Sequence, residues 1–213
     1  LDGIDEATFQ TMNDVGFPVG KVLNGIANAE RAGLAPIKIN TVVQRGVNDH
    51  DIINMANHFR GTDHIVRFIE YMDVGNSNGW RLDQVMPSKE VATLIDAHWP
   101  IEPVSPNYLG EVAKRYRYTD GRGEIGLISS VSQPFCGDCS RARLSAEGKL
   151  FTCLFASDGH PVRDELRRGA SDVALYDYLA GIWQKRSDRY SQIRSHQTKP
   201  INTQKIEMSY IGG

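Results

Sequence analysis

All three cysteines of the chain lie in the segment CGDCSRARLSAEGKLFTC, residues 136–153. Cys136 and Cys139 are separated by two residues, a spacing that puts two thiols on one turn, and Cys153 follows 14 positions after Cys139. A structural zinc ion would need a fourth ligand, for which His160 is the nearest candidate. A thioredoxin-like pair would use only the first two thiols. An iron–sulfur cluster held by three thiolates would leave one iron without a protein ligand. The residue types alone leave these alternatives open.

Two arginines, Arg141 and Arg143, lie between the cysteines. If this stretch is a strand, its period of two places both side chains on one face. Two guanidinium groups on one face are suited to binding a phosphate or another anion. A solvent-facing strand edge protected by charged residues would produce the same pattern.

The composition is typical of a soluble globular protein, with 40% hydrophobic and 23% charged residues in 213 positions. No apolar run reaches the roughly 18 residues of a membrane span, and no signal-peptide core is present near the start. An odd number of cysteines argues against a disulfide framework, so we expect a reducing, cytoplasmic compartment. The net charge of −2 does not indicate nucleic-acid binding. However, the balance is −6 up to residue 110 and +4 beyond it, which suits an anionic ligand near the cysteines.

Helical and strand-like patterns alternate in the first half of the chain. They predict helices at 5–14, 18–32, 48–59 and 88–99, and buried strands at 35–43 and 64–72. Connections of this length between the two strands predict parallel pairing and a right-handed crossover. The pattern therefore predicts an α/β fold.

The second half begins after a proline-rich stretch at 100–110, which predicts a linker or domain boundary. The patterns beyond it predict strands at 112–120 and 124–131, a hairpin at 142–155 around Glu147-Gly148, helices at 161–168 and 171–186, and a polar tail at 187–206. The cysteines thus lie on or beside a hairpin in the second half.

The cysteine segment, with SRARLS between the thiols, GLISSVSQPFC before them and a terminal Gly-Gly, resembles the C-terminal part of the GTP 3′,8-cyclase family. These are radical S-adenosylmethionine (SAM) enzymes of molybdenum cofactor biosynthesis. The segments KINTVVQRGVND, VRFIEYMDVGNSNGW, YLGEVAKRYRY, DRYS and MSYIGG are also similar to family segments, so the resemblance covers the whole chain. It implies that Cys136, Cys139 and Cys153 hold an auxiliary [4Fe-4S] cluster.

The resemblance also implies the architecture. Residues 1–108 would be the C-terminal part of an incomplete (β/α)6 radical SAM barrel, and residues 109–213 a smaller α+β domain that carries the cluster and binds GTP. The family's first cluster, on a Cys-x3-Cys-x2-Cys motif, binds and reduces SAM, and this sequence contains no such motif. We therefore expect the chain to be the C-terminal portion of such an enzyme and to be inactive alone.

For the whole enzyme, the resemblance implies SAM-dependent radical conversion of GTP to (8S)-3′,8-cyclo-7,8-dihydroguanosine 5′-triphosphate. Hydrogen would be taken from C3′, and the sugar radical would attack C8 of guanine. The implied partners are GTP, the N-terminal portion of the same enzyme and, downstream in the pathway, cyclic pyranopterin monophosphate synthase. A homodimer is a further candidate, and neither a nucleic acid nor a membrane is expected as a partner.

Residues near GTP are implied by position in family segments. Lys38, in IKIN, resembles the family lysine near the GTP phosphates, and Arg141 and Arg143 resemble the arginines beside GTP. A lone lysine in an apolar strand usually reaches solvent at the strand end, whereas a buried one would need an anionic partner.

Residues near SAM are implied in the same way. Arg67 resembles the family arginine at the SAM site, although the residue types alone favour a buried ion pair with Glu70. Met72 matches the position whose backbone meets SAM, and its alternative role is core packing.

The C-terminal Gly212 and Gly213 resemble the family's terminal pair, which reaches into the active site as a catalytic element. Glycines lack Cβ and can pass through a crowded cavity. Tyr210 and Ile211 would help to anchor such a tail, whereas a disordered terminus is the ordinary alternative.

Overall fold

A computed structural model describes residues 1–76, 78–194 and 205–211 of the chain. It contains two compact units. The first comprises Leu1–Met72 and Trp80–Pro134, and the second comprises the described residues of Asp73–Gly79 and Phe135–Gly213.

The first unit is built on a five-stranded mixed sheet with the order β1-β2-β5-β4-β3. Its strands are β1 (Lys38–Val43), β2 (Ile65–Glu70), β3 (Ile101–Val104), β4 (Lys114–Tyr118) and β5 (Glu124–Ile128). β1, β2 and β5 are parallel, and β4 pairs antiparallel with both β5 and β3. The predicted parallel pairing of the first two strands is confirmed.

Helices α1 (Glu6–Asn13), α2 (Val19–Arg31), α3 (Ile52–Phe59) and α4 (Ser88–His98) complete the first unit, with short 3-10 turns at Asp49–Asp51 and Leu82–Gln84. The core lies where α3 and α4 cover one sheet face. Its fully buried side chains include Met55, Val66, Phe68 and Ile95. Because side chains alternate across a strand, the other face of β1 and β2 is more exposed, and it carries Lys38, Asn40 and Arg67.

Hydrogen bonds near the start of the chain hold α1 and the first two residues in place. The side chain of Asp5 accepts a hydrogen bond from the Thr8 amide at 2.9 Å, which caps α1 at its N-terminus. At the outer edge of β1, the amino group of Leu1 donates to the Asn40 carbonyl at 2.9 Å. The Val42 amide donates to the Asp2 carboxylate at 2.7 Å, so the first two residues lie alongside this edge.

The second unit is smaller and mixed. It contains a three-stranded antiparallel sheet, β6 (Arg143–Leu144), β7 (Lys149–Phe151) and β8 (His160–Pro161). Its helices are α5 (Val162–Arg167), α6 (Asp172–Gln184) and α7 (Tyr190–Arg194), and a 3-10 turn spans Met208–Ile211. The predicted hairpin around Glu147-Gly148 is present as β6 and β7.

The mixed α/β class is confirmed, and two segments differ from prediction. The proline-rich stretch, predicted as a linker, contains β3. Pro103 is tolerated there because β3 is the edge strand of the sheet, where a missing N–H costs no ladder hydrogen bond. The predicted polar tail contains α7. The first unit also extends to Pro134, beyond the predicted division at 108/109, because β4 and β5 hydrogen-bond within its sheet.

Candidate functional site

The hairpin returns the chain to the cysteine turn. Gly137 and Asp138 form the turn, and the Cys139 amide donates to the Cys136 carbonyl at 3.4 Å. Arg143 of β6 pairs with Phe151 of β7, and Cys153 follows two residues later. All three thiols are free and half-buried, and the charges of Cys136 and Cys153 interact. The hairpin thus carries Cys153 back toward the segment that holds the cysteine turn, and the grouping of all three sulfurs around one metal site stays a prediction.

The two thiols on opposite sides of this site have different electrostatic environments. Burial raises the pKa of the Cys139 thiol, but hydrogen bonds from Arg141 and Arg186 and the charge of Arg141 outweigh burial and hold the pKa below its ordinary value. Burial raises the pKa of the Cys153 thiol, and the nearby charges of Asp188 and Cys136 add to it. The site therefore favours a thiolate at Cys139.

Arg141 and Arg143 both belong to this site. Arg141 Nη2 lies 3.3 Å from Cys139 Sγ, and its guanidinium lies 4.9 Å from the centroid of the Phe135 ring. Burial lowers the pKa of Arg143, the charge of Arg141 lowers it further, and the thiols of Cys139 and Cys153 act in the opposite direction. Only Arg143 lies in a strand, so the prediction that both arginines share one strand face was wrong.

Neither arginine has a counter-ion in the part of the chain that the structure describes. No carboxylate among those residues lies within 4 Å of either guanidinium. Arg186, which contacts the same cysteine turn, does have one in Asp188. Two neighbouring cations without a carboxylate partner form an attractive site for an anionic ligand.

Arg186 is a site residue that the sequence interpretation missed. It donates to the Cys139 carbonyl and, through Nε, to Asp188 Oδ2 at 3.0 Å. Asp188 also accepts from the Thr152 hydroxyl at 2.6 Å, one residue before Cys153. Arg186 thus links the cysteine turn to the segment that carries the third thiol. Nothing in the local spacing indicated this, because Arg186 lies 47 residues from Cys139.

The zinc alternative receives no support from the geometry. His160 is exposed and pairs opposite Leu150 in the small sheet. Among residues 1–76, 78–194 and 205–211, no group of three or more His, Cys, Asp or Glu side chains is arranged to hold a metal ion. The same observation gives no geometric support to a cluster on Cys136, Cys139 and Cys153. Only their chemistry fits one, because soft thiolates are the ligands that iron–sulfur clusters use.

In the first unit, Lys38 and Arg67 lie on the exposed sheet face. Lys38 is exposed at the first position of β1, where it lines a cavity of about 580 Å³ with Asn107 and Arg115. Arg67 donates through Nε to Asn40 Oδ1 at 2.8 Å, its neighbour across β1 and β2. A Cβ at Gly126 would lie 3.0 Å from the Arg67 side chain, so the glycine leaves room for it.

Glu70 is not the partner of Arg67, and that alternative was wrong. The two residues are three positions apart in one strand and therefore point to opposite faces. Glu70 is 2% exposed and accepts from the amides of Ser88, Val131 and Ser132 at 2.7–2.8 Å. Ser88 begins α4, so this buried carboxylate caps that helix.

The remaining predicted residues occur at chain segments beyond the strands. Met72 follows β2 by two residues and is half-buried. Gly212 and Gly213 lie outside the described residues. Tyr210 and Ile211, just before them, pack within the second unit. Ile211 is 3% exposed, and the Tyr210 ring meets the Phe151 ring edge-on. No helix among the described residues is long and apolar enough to cross a membrane.

Comparison with known proteins gives a consistent result. The family described as Molybdenum Cofactor Synthesis C matches residues 64–192. The chain is 48% identical to a GTP 3′,8-cyclase of Acidothermus cellulolyticus and 48% identical to one of Xanthomonas axonopodis pv. citri. It is 45% identical to one of Staphylococcus saprophyticus. Each alignment covers all of this chain but only 65%, 63% and 63% of the relative. The chain therefore spans just under two thirds of the length of these curated relatives.

Proposed function

The chain belongs to the Molybdenum Cofactor Synthesis C family, and we propose that it is the C-terminal part of a GTP 3′,8-cyclase. The relatives that carry this name are 45–48% identical to it. Because the chain spans just under two thirds of their length, the cyclisation of GTP is proposed for the intact protein. The chain alone is proposed to be inactive.

The observation that carries this proposal is the group of three thiols and two arginines around the β6–β7 hairpin. Arg141 and Arg143 are neighbours, and among the described residues neither has a carboxylate within hydrogen-bond reach. They would bind the anionic part of GTP through charge-assisted hydrogen bonds. Lys38, at the start of β1, would contribute a further cation near the phosphates.

Cys136, Cys139 and Cys153 would hold an auxiliary [4Fe-4S] cluster. Such a cluster on three thiolates has one iron without a protein ligand, which would bind the guanine base. Arg186 would keep the cysteine turn in position through its hydrogen bond to the Cys139 carbonyl. These side chains would orient GTP. The arginines would fix its phosphates, and the cysteine turn would fix its guanine end.

The sheet-bearing unit would contribute the C-terminal part of the radical SAM barrel. On its exposed face, Arg67 is held by Asn40, and Met72 follows the end of β2. These two residues would contact SAM, whose own cluster would be held by a Cys-x3-Cys-x2-Cys motif in the N-terminal portion. Gly212 and Gly213 would reach the reacting nucleotide. We further propose a cytoplasmic location and, downstream, a pathway partner that consumes the cyclised nucleotide.

The test is an anaerobic assay of 5′-deoxyadenosine release with SAM, GTP and a reductant. The intact natural protein that contains this sequence should release it in a GTP-dependent manner, and a variant with Cys136, Cys139 and Cys153 all changed to Ser should not convert GTP. The chain alone should give no more release than its own triple Cys→Ser variant. Release above that level would contradict the auxiliary role of these cysteines. A colourless protein with stoichiometric zinc would contradict the cluster itself.

A further inference from the structure

The C-terminal segment Lys205–Ile211, here called the strap, is held within the second unit at several points. We propose that a buried charge cluster centred on Asp73 holds the strap and thereby positions the residues that follow Ile211 for the reaction. This inference rests on the proposed function. It assigns Asp73, an acid that follows β2 by three residues, a positioning role that its place in the sequence does not indicate.

The Asp73 charge cluster contains the carboxylate of Asp73, the two cations Arg194 and Lys205, and the phenol of Tyr190. Lys205 Nζ donates to Asp73 Oδ2 at 2.8 Å and to the Asp73 carbonyl at 2.6 Å. Tyr190 donates its hydroxyl to the same carboxylate at 2.6 Å, and Arg194 forms an ion pair with the other oxygen. The side chains of Asp73, Arg194 and Lys205 are 12%, 6% and 8% exposed, so water screens these charges little.

Aromatic rings complete the surroundings of the two cations. Phe155 and Tyr190 stack with centroids 4.5 Å apart. The Lys205 ammonium lies 4.7 Å from the Tyr190 ring and 5.5 Å from the Phe155 ring, and the Arg194 guanidinium lies 5.2 Å from the latter. Asp73 forms an ion pair with both buried cations, so its loss would remove a carboxylate partner from each of them.

A second contact aligns the strap backbone. The Asn76 side chain accepts from the Lys205 amide at 3.0 Å and donates to the Lys205 carbonyl at 2.6 Å, as a neighbouring strand would. The backbone N–H of Asn76 donates to Glu207 Oε1 at 2.9 Å. Gly75, with a positive φ of 64°, allows this approach, because a Cβ there would lie 2.2 Å from the Glu207 carboxylate.

A third contact brings the end of the strap to the hairpin. The Ile206 amide donates to the Ala156 carbonyl at 3.0 Å. Tyr210 donates to the Glu147 carboxylate at the hairpin turn and packs edge-on against Phe151 of β7. The strap therefore ends beside the hairpin whose other strand begins with Arg143. Because the chain is covalently continuous, the contacts that hold residues 205–211 anchor whatever follows Ile211.

The test compares Asp73→Asn with wild type in the intact protein, using Asp83→Asn as a matched control. Asp83 pairs with Arg81 on the surface of the first unit and is 63% exposed. Hydrogen exchange of the amides in 205–211 should accelerate at least about 100-fold in Asp73→Asn, because removing one partner of a buried ion pair is strongly destabilising. The control should leave this exchange unchanged.

The positioning role is tested by kinetics. Per iron-loaded protein, Asp73→Asn should lower kcat for GTP cyclisation at least about tenfold while KM for GTP changes less than about threefold, because Arg141, Arg143 and the thiols are untouched. If Asp73→Asn fails to fold, Asn76→Ala replaces it, since that variant removes hydrogen bonds to the strap without leaving buried charges. Its exchange and kcat should change in the same direction, by smaller factors.

Either of two outcomes would overturn the proposal: unchanged exchange in 205–211, or faster exchange with an unchanged kcat. Faster exchange with an unchanged kcat would mean that the Asp73 charge cluster holds the strap for stability alone. Failure of the proposed function would look different, because the wild-type protein itself would then form no product from GTP and SAM, and the positioning role would fall with it.

Discussion

Replacing Arg143 or Arg141 with alanine should weaken GTP binding, and the structure ranks the two effects. A hydrogen bond to a charged group contributes about 1.5–3 kcal/mol, which corresponds to about 12- to 160-fold in Kd. Arg143 is half-buried in β6, whereas Arg141 is exposed before it. Since burial reduces screening by water, we expect Arg143→Ala near the upper value and Arg141→Ala near the lower one.

Charge alone should not restore binding. Lysine is a compact point charge and lacks the planar fork that contacts two phosphate oxygens, so Arg143→Lys should recover only part of the loss. Raising the salt concentration should weaken GTP binding to wild type more than to the alanine variants, because the variants have lost the attraction that salt screens.

The assay is GTP binding to the intact, iron-loaded protein, measured anaerobically by calorimetry with iron content and folding checked for each variant. Arg117→Ala is the matched control, since Arg117 is exposed on the first unit and pairs with Glu102. The iron check matters because Arg141 also donates to Cys139 Sγ. If both alanine variants fold, retain iron and bind GTP with wild-type affinity, the two arginines are surface charges and the reasoning fails.

Three further predictions concern the cluster and the buried acids. Adding GTP should change the paramagnetic resonance spectrum of the cluster proposed on Cys136, Cys139 and Cys153, and an unchanged spectrum at saturating GTP would argue against an iron that binds the base. Glu70→Gln should lower the free energy of unfolding by about 2–3 kcal/mol in denaturant titrations, since a neutral amide cannot accept all the donors that converge on this carboxylate; a loss below about 1 kcal/mol would contradict the capping role. Burial raises the pKa of Asp73, but hydrogen bonds from Lys205 and Tyr190 and the charges of Arg194 and Lys205 outweigh burial and hold the pKa below 3.8. Its stabilising effect should therefore be complete above about pH 4 and be lost as the pH falls further, so that Asp73→Asn unfolds with a flatter acid profile than wild type; identical profiles would refute this.

Much of the secondary structure could be predicted from the sequence, because it follows from local periodicity. The apolar spacing of residues 18–32 predicts α2, and the β-branched runs at 35–43 and 64–72 predict β1 and β2. The turn at Glu147-Gly148 predicts the hairpin. Pro103 misled the interpretation of its own segment, because whether a proline is tolerated in a strand depends on whether that strand lies at a sheet edge.

The candidate site likewise has a part that the sequence predicted and a part that it did not. The thiols and the two arginines are close in sequence, so their types and spacing predicted a site, and the family segments around them gave that site a proposed chemistry. Arg186 and Asp73 were missed because their partners lie 47 and more than 100 residues away. Arg67 and Glu70 are neighbours in the sequence, but the pleat of β2 points them to opposite faces, where one meets Asn40 and the other caps α4. The sequence by itself therefore determined the local elements and the reactive groups. Only the tertiary structure decided which charges become buried partners, because that depends on which distant segments pack together and exclude water.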